Sequence, residues 1–281
     1  MTNTPPVTIT RVEQGGAPVT APRLMVATPL YGGAEADYLR SVVGLTGAAE
    51  RANVACSFAW LSNNAVIDRA RNVLAAAFLQ SDATHMVFID GDIGFEPEAL
   101  IDLVTRMQGD DRLAVVGAPC PKRRINWSLV AQAAAKGLGQ GTPADLAKYA
   151  GVFALDPLDP QASFLVDEPL ELTRVGTGLM VIRRDVIEGL CARHAELRYA
   201  ADALDRESGL ASDTLTALFQ PMIDPESGHL LSDDYAFCRR VRDAGYRIWL
   251  APWMRTTHTG PARFAGTLAD LAQLSAAPTP A

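Results

Sequence analysis

Four short apolar runs, each closed by turn residues and separated from the next by a stretch of helical periodicity, constrain this chain more than any other feature. RLMVAT at 23–28 stops at Pro29 and the Gly32-Gly33 pair; VACSFAWL at 54–61, HMVFI at 85–89 and a further run at 113–118 follow. A strand that is apolar without alternation is covered on both faces, as in a sheet flanked by helices. The intervening segments fit those helices. One spans about 34–52. A second is capped by Asn63 or Asn64 and carries Val66, Ile67, Ala70, Val73, Leu74, Ala77 and Phe78 on one face. A third begins at Pro97, where a first-turn proline is tolerated. The expectation is an α/β fold built on a largely parallel sheet.

The second half changes character. Residues 129–160 are rich in Ala, Gly and Pro, 163–183 read as two or three strands (SFLVDE, LELTRV, GLMVIRR), and a helix covers 184–194. Residues 201–230 read as an insertion or mobile loop. A well-signalled helix then opens on Ser232, holds Asp233 and Asp234 in its first turn and closes at Gly245. YRIWL at 246–250 is the final strand. Residues 1–22 and 267–281 lack periodicity and are read as a flexible N-terminal segment and a C-terminal tail around one domain at 23–266.

With 281 residues, 48% of them apolar, there is ample chain for a core. The net charge of −7 argues against a broad nucleic-acid surface, so an anionic ligand must be held locally, by a few residues or by a metal. No run approaches the roughly 18 apolar residues of a membrane span, and the N-terminus lacks the basic start and apolar run of a signal peptide. The expected location is cytoplasmic, either free or peripheral to the inner face of the membrane. Cys56, Cys120, Cys191 and Cys238 form no CxxC pair and are read as reduced thiols.

The chemistry concentrates in a few places. Asp90-Gly91-Asp92 ends a buried strand, where open α/β sheets place their ligands, and the glycine permits a tight turn beside a bulky group. Two carboxylates with phosphate oxygens and water are what Mg²⁺ or Mn²⁺ takes; the plainer reading is an Asp-Gly turn before a helix. Asp233 and Asp234 offer a carboxylate at a helix N-terminus as general base or hydroxyl acceptor, although acids are expected there on dipole grounds alone. His258, in a Thr-His-Thr-Gly loop after the last strand, can supply an imidazole to a metal; His85, His194 and His229 carry no such signal. Gly176-Thr177-Gly178 before an apolar run allows close backbone approach to a ligand, or marks a bulge. Arg69 and Arg71, two residues apart, cannot share a narrow helical face, so one at most reaches a phosphate. The basic and aromatic stretch 121–127 suits a phosphate or a sugar ring. GLGQG at 137–141 has no strand before it, which excludes a dinucleotide fingerprint.

Taken in order, a first strand ending in Thr-Pro, an acid-x-acid at the end of a buried strand, a Gly-x-Gly before a strand, paired acids opening a helix and a histidine after the last strand resemble the GT-A fold glycosyltransferases. The family 2-like enzymes are the nearest in pattern. The resemblance covers about 23–266, with LLSDDYAFCRRVRDAGYRIWLAPWMRTTHTGPARF the most family-like stretch. It implies a Rossmann-like nucleotide-diphospho-sugar transferase fold with a mixed, mostly parallel central sheet flanked by helices. The nucleotide-sugar half would be about 23–120 and the acceptor half about 121–266.

Carried over residue by residue, the resemblance makes Asp92 the direct metal ligand, puts Asp90 toward the ribose or the metal, and adds His258 as a ligand. Thr28, Pro29 and Tyr31 would line the base pocket, and Arg71 or Asn72 would approach the donor, alongside Gly91. Trp127, Gly176, Thr177 and Gly178 fall on the acceptor side. Asp233-Asp234 matches the family's Glu-Asp pair with Asp in first place, leaving Asp234 the better base. The implied activity is metal-dependent transfer of a sugar from a UDP- or GDP-sugar to a glycan or other hydroxyl acceptor, with Mn²⁺ or Mg²⁺ as cofactor. The alternatives are a nucleotidyltransferase acting on sugar phosphates, disfavoured because ATPLYGGAEADY carries no basic residue, and a non-catalytic sugar-binding module.

Overall fold

The structure, a computed structural model, describes residues 7–12, 21–140, 142–159, 161, 163–207, 210–260 and 264–276. Its strands and helices run β1 (Val7–Val12), β2 (Arg23–Leu30), α1 (Ala36–Arg51), β3 (Ala55–Ser62), α2 (Ile67–Leu79), β4 (His85–Ile89), β5 (Ile93–Phe95), α3 (Pro97–Gly109), β6 (Val115–Gly117) and α4 (Trp127–Ala135). After a 3-10 segment at Pro143–Ala150 come β7 (Leu170–Leu172), β8 (Leu179–Arg183), α5 (Arg184–Arg193), β9 (Arg198–Ala200), α6 (Ala203–Glu207), β10 (Thr214–Thr216), β11 (Met222–Ile223) and β12 (Leu230–Leu231). The chain closes with α7 (Asp233–Asp243), β13 (Ile248–Leu250), β14 (Thr256–His258), β15 (Phe264–Gly266) and α8 (Leu268–Ala276).

Eight strands form one mixed sheet in the order β1-β3-β2-β4-β8-β6-β13-β7. β2, β3, β4, β6 and β13 point one way; β1, β8 and β7 oppose them. The expected mixed sheet is present. Its special feature is β8, which runs antiparallel between β4 and β6. A strand from the second half of the chain therefore sits inside the first half's sheet, and the two halves share one core.

Both faces are covered, which explains the unbroken apolar runs. Alternate residues of each strand enter opposite layers: Met25, Ala27, Met86 and Phe88 pack with Leu74 and Phe78 of α2, Ile187 of α5 and Phe237 of α7. Leu24, Val26, Val87 and Ile89 pack on the other side with Tyr38 and Leu45 of α1 and Leu100 and Val104 of α3.

Four expectations are corrected. Val7–Val12, assigned to the flexible N-terminal segment, is an edge strand paired antiparallel to β3, and the tail 267–281 contains α8; residues 1–6, 13–20 and 277–281 lie outside the described residues. SFLVDE forms no strand and is mostly exposed, because its apolar residues have no layer left to cover. Segment 201–230, read as an insertion, buries Leu215, Leu218 and Phe219, and Phe219 stacks on Phe237 with centroids 4.4 Å apart. The second helix starts at Ile67, with Asn64 Oδ1 accepting from the Val66 N–H at 3.1 Å in the turn before it, so Val66 and Ile67 stay exposed.

Candidate functional site

At the carboxyl end of β4 the chain turns through Asp90-Gly91-Asp92 into β5. The turn is closed by the Ile93 N–H donating to the Asp90 carbonyl at 3.0 Å. Gly91 is needed for space: a Cβ there would stand 2.6 Å from Leu30 Cδ2 and 3.2 Å from the Gly33 carbonyl oxygen. The loop after β2 thus lies directly on the acid turn, and the Glu35 N–H donates to the Gly91 carbonyl at 2.8 Å.

Two long-range pairings complete the site. β5 pairs antiparallel with β14, matching Ile93 with His258, which carries the histidine to the acid turn across more than 160 residues. The Asp90 N–H donates to the Gly178 carbonyl at 3.0 Å, which fixes the Gly176-Thr177-Gly178 loop against the same turn. A Cβ on Gly178 would press on Cys120 Sγ at 3.1 Å, and Asp234 Oδ2 stands over Gly176, 3.5 Å from where its Cβ would be.

His258 Nδ1 donates to the Pro121 carbonyl at 2.7 Å, so Nε2 of the neutral ring is left as an acceptor. That nitrogen accepts from Arg123 Nε at 2.9 Å and lies 3.4 Å from Asp92 Oδ2. Arg123 also pairs with Asp92 through its other nitrogen NH2. Burial lowers the His258 pKa below the ordinary histidine value, the Pro121 carbonyl pulls the other way, and Arg123 adds to the lowering.

Asp90 turns elsewhere. Arg71, buried on α2, places one guanidinium nitrogen 3.1 Å from Asp90 Oδ1 and another against Asp233 Oδ2. Burial works against the Arg71 charge, but the Asp90 and Asp233 carboxylates outweigh it and hold the guanidinium above its usual pKa. Asp233 is thereby committed to an ion pair. Asp234 Oδ1 accepts from the Tyr235 N–H at 2.8 Å and from the Ser232 hydroxyl. Ser232 therefore holds the N-cap position of α7 while its hydroxyl serves the acid rather than the helix backbone.

A cavity of about 440 Å³ joins these groups. Its lining includes Arg71, Asp90, Lys122, Thr177, Asp234 and His258. Among the described residues no group of three or more His, Cys, Asp or Glu side chains converges on one point; Asp92 and His258 face each other, while Asp90 pairs with Arg71.

Other expected residues are distributed differently. The Thr28 hydroxyl is buried and bonded to the Tyr38 hydroxyl at 2.8 Å, which in turn accepts from Trp60 Nε1. Pro29 ends β2 half-buried, and Tyr31 is 73% exposed just beyond it. Of the two candidates on α2, Arg71 enters the cavity. Asn72 is buried away from it, its Oδ1 accepting from the Phe219 N–H at 3.0 Å. Arg69 pairs with Asp202 and Asp205 outside the site. Trp127 is 69% exposed at the start of α4 and is not part of the cavity wall.

Sequence reasoning placed Pro121 and Arg123 only within a basic cluster and passed over Phe153 and Tyr235. Prolines at 119 and 121 just before the basic run Lys122-Arg123-Arg124 were the available signal, since they stiffen the loop that presents Arg123. The four cysteines are free, as expected, with burial pushing Cys120 and Cys238 up to about 12.

No protein-family model matches the chain, and no curated protein sequence matches it. Solved structures do. A197 from STIV has a TM-score of 0.47 at 10% identity over 88% of this chain and 94% of that one. GalNAc-T7 with UDP, GalNAc and Mn²⁺ gives 0.45 at 13% over 84% of this chain, which spans 43% of that protein. CMP:2-keto-3-deoxy-manno-octonic acid synthetase complexed with CTP gives 0.35 at 13% over 91% and 98%.

The fold is mixed α/β. It has the mixed sheet between helical layers, with an acid turn at a strand's carboxyl end, that the sequence resemblance implies. These likenesses lie at 10 to 13% identity with TM-scores of 0.35 to 0.47. No helix among the described residues is long and apolar enough to cross a membrane.

Proposed function

We propose that the chain transfers a sugar from a nucleoside-diphosphate donor to a hydroxyl acceptor. The observation that carries this reading is the approach of Asp92 Oδ2 to His258 Nε2, 3.4 Å apart, where His258 lines the same cavity as Asp234.

The donor set fits a divalent cation. Two ligands about 2.1 Å from one octahedral ion and adjacent on it stand about 3 Å apart, and His258 already presents its lone pair because Pro121 takes the Nδ1 proton. Asp92 and His258 would hold Mn²⁺ or Mg²⁺, whose bound charge would stabilise the diphosphate as it leaves. The remaining positions on the ion suit phosphate oxygens and water.

The chain's own residues do the rest. Arg71 pairs with both Asp90 and Asp233, so both act as positioning residues. Asp234, oriented by the Tyr235 N–H and Ser232, accepts the acceptor hydroxyl's proton in a direct displacement or orients that hydroxyl otherwise. The Gly176–Gly178 loop lets the acceptor approach because it presents no bulk beyond Thr177, itself buried. Lys122 adds positive charge at the rim.

Thermal unfolding tests the reading. UDP or GDP at about 100-fold its Kd together with Mn²⁺ raises stability by roughly 2.7 kcal/mol, seen as a Tm increase of several degrees that EDTA cancels. A shift produced by NAD alone, or by no nucleotide, would overturn it.

A further inference from the structure

Asp92 Oδ2 and His258 Nε2 are both acceptors, both about one-fifth exposed, and only 3.4 Å apart. With the Nδ1 proton given to Pro121, no proton remains to lie between them. Two partly buried lone-pair groups facing each other need a positive charge. In this structure the Arg123 guanidinium supplies it: Nε donates to His258 Nε2 at 2.9 Å and NH2 pairs with Asp92 Oδ2. The fork geometry of guanidinium allows both contacts from one plane.

The rest of the side chain is also accommodated. Gly260, two residues after His258, leaves room for the Arg123 stem, since a Cβ there would stand 2.9 Å from Arg123 Cδ. Arg123 nevertheless remains 49% exposed, more than twice as open as the pair it bridges. Its route to solvent is clear while its partners stay in place.

We propose that Arg123 is an internal counter-cation, holding Asp92 and His258 together and exchanged for the divalent ion when the site loads. This rests on the reading of those two residues as the metal ligands. The exchange replaces one positive charge by two beside an incoming diphosphate, and the released guanidinium stays on the same loop, positioned to pair with a phosphate oxygen. Arg123 would thereby keep the ligand pair organised and the ion's affinity low until the donor arrives.

Mn²⁺ binding, followed by the electron paramagnetic resonance signal of the free ion in the absence of nucleotide, tests this without reference to activity. Arg123→Gln should bind Mn²⁺ at least about tenfold more tightly than the wild type, because the competitor is gone. Arg124→Gln, which removes the same charge from the neighbouring exposed side chain, should change affinity less than about twofold. Arg123→Lys, which keeps the stem and one contact, should lie between, and it decides the matter if the glutamine variant fails to fold. Equal or weaker binding in the Arg123 variants, or an equal gain in Arg124→Gln, overturns the proposal while leaving the metal reading intact. Absence of Mn²⁺ binding in every variant, with UDP and with GDP as well as without, overturns both.

Discussion

Arg71 carries the heaviest electrostatic role of any single residue. Its guanidinium is buried between Asp90 and Asp233, so truncation leaves two carboxylates with no counter-charge. Breaking such a pair costs about 3 kcal/mol. Arg71→Met should therefore lower the unfolding free energy obtained from urea titration by that amount and abolish turnover, whereas Arg71→Lys, lacking the fork, should recover part of the stability and little of the activity. Equal stability of the methionine variant and the wild type would contradict the assignment. A second residue-scale effect belongs to His85. Burial pushes its pKa down to about 4, with Arg183 adding to the lowering, against an unfolded value of about 6.5. The unfolded chain thus binds the extra proton first. The stability from keeping His85 neutral is complete above about pH 6.5 and is lost as pH falls toward 4, by up to about 3 kcal/mol. Urea titrations at pH 7 and pH 4.5 should show a loss that His85→Leu reduces by roughly 2 kcal/mol.

At the scale of elements, the acid turn was legible and its partners were not. HMVFI followed by Asp-Gly-Asp is a local pattern, and the structure places it at the carboxyl end of β4 as expected. His258 was legible as a loop histidine. What brings it to Asp92 is a three-residue ladder between β5 and β14, too short for periodicity to register and closed across most of the chain. β8 was legible as a strand, but not its place between β4 and β6, since neither local propensity nor spacing encodes strand order. Segment 201–230 was misread because its turn residues are plentiful and the apolar residues it sends to the core, Leu210, Leu215, Leu218 and Phe219 among them, follow no regular spacing.

Loop and sheet are also coupled by packing. A Cβ on Gly117 of β6 would stand 2.4 Å from Val175 Cγ2, immediately before the Gly176–Gly178 loop. Gly117→Ala should cost about 1–3 kcal/mol by overpacking. Combined with Val175→Ala it should cost at least about 1 kcal/mol less than the sum of the two single changes. Strict additivity would show that the loop is not seated on β6.

For the whole molecule, the acidic balance and the cavity fit one another. A chain with net charge −7 offers few cations near its cleft, and Arg71 and Arg123 are both already paired with acids. In the proposed reading, holding a diphosphate would fall to a recruited ion, to Lys122 and to the guanidinium that the ion displaces. Because β8 threads the second half of the chain into the first half's sheet, residues from both halves, Arg71, Asp90, Asp234 and His258 among them, line one cavity. The most direct measurement is release of nucleoside diphosphate from a panel of UDP- and GDP-sugars in the presence of Mn²⁺, comparing the wild type with Asp92→Asn. The account predicts turnover of at least one donor by the wild type and a loss of about 10³-fold or more in the variant; an Asp92→Asn protein as active as the wild type would contradict it.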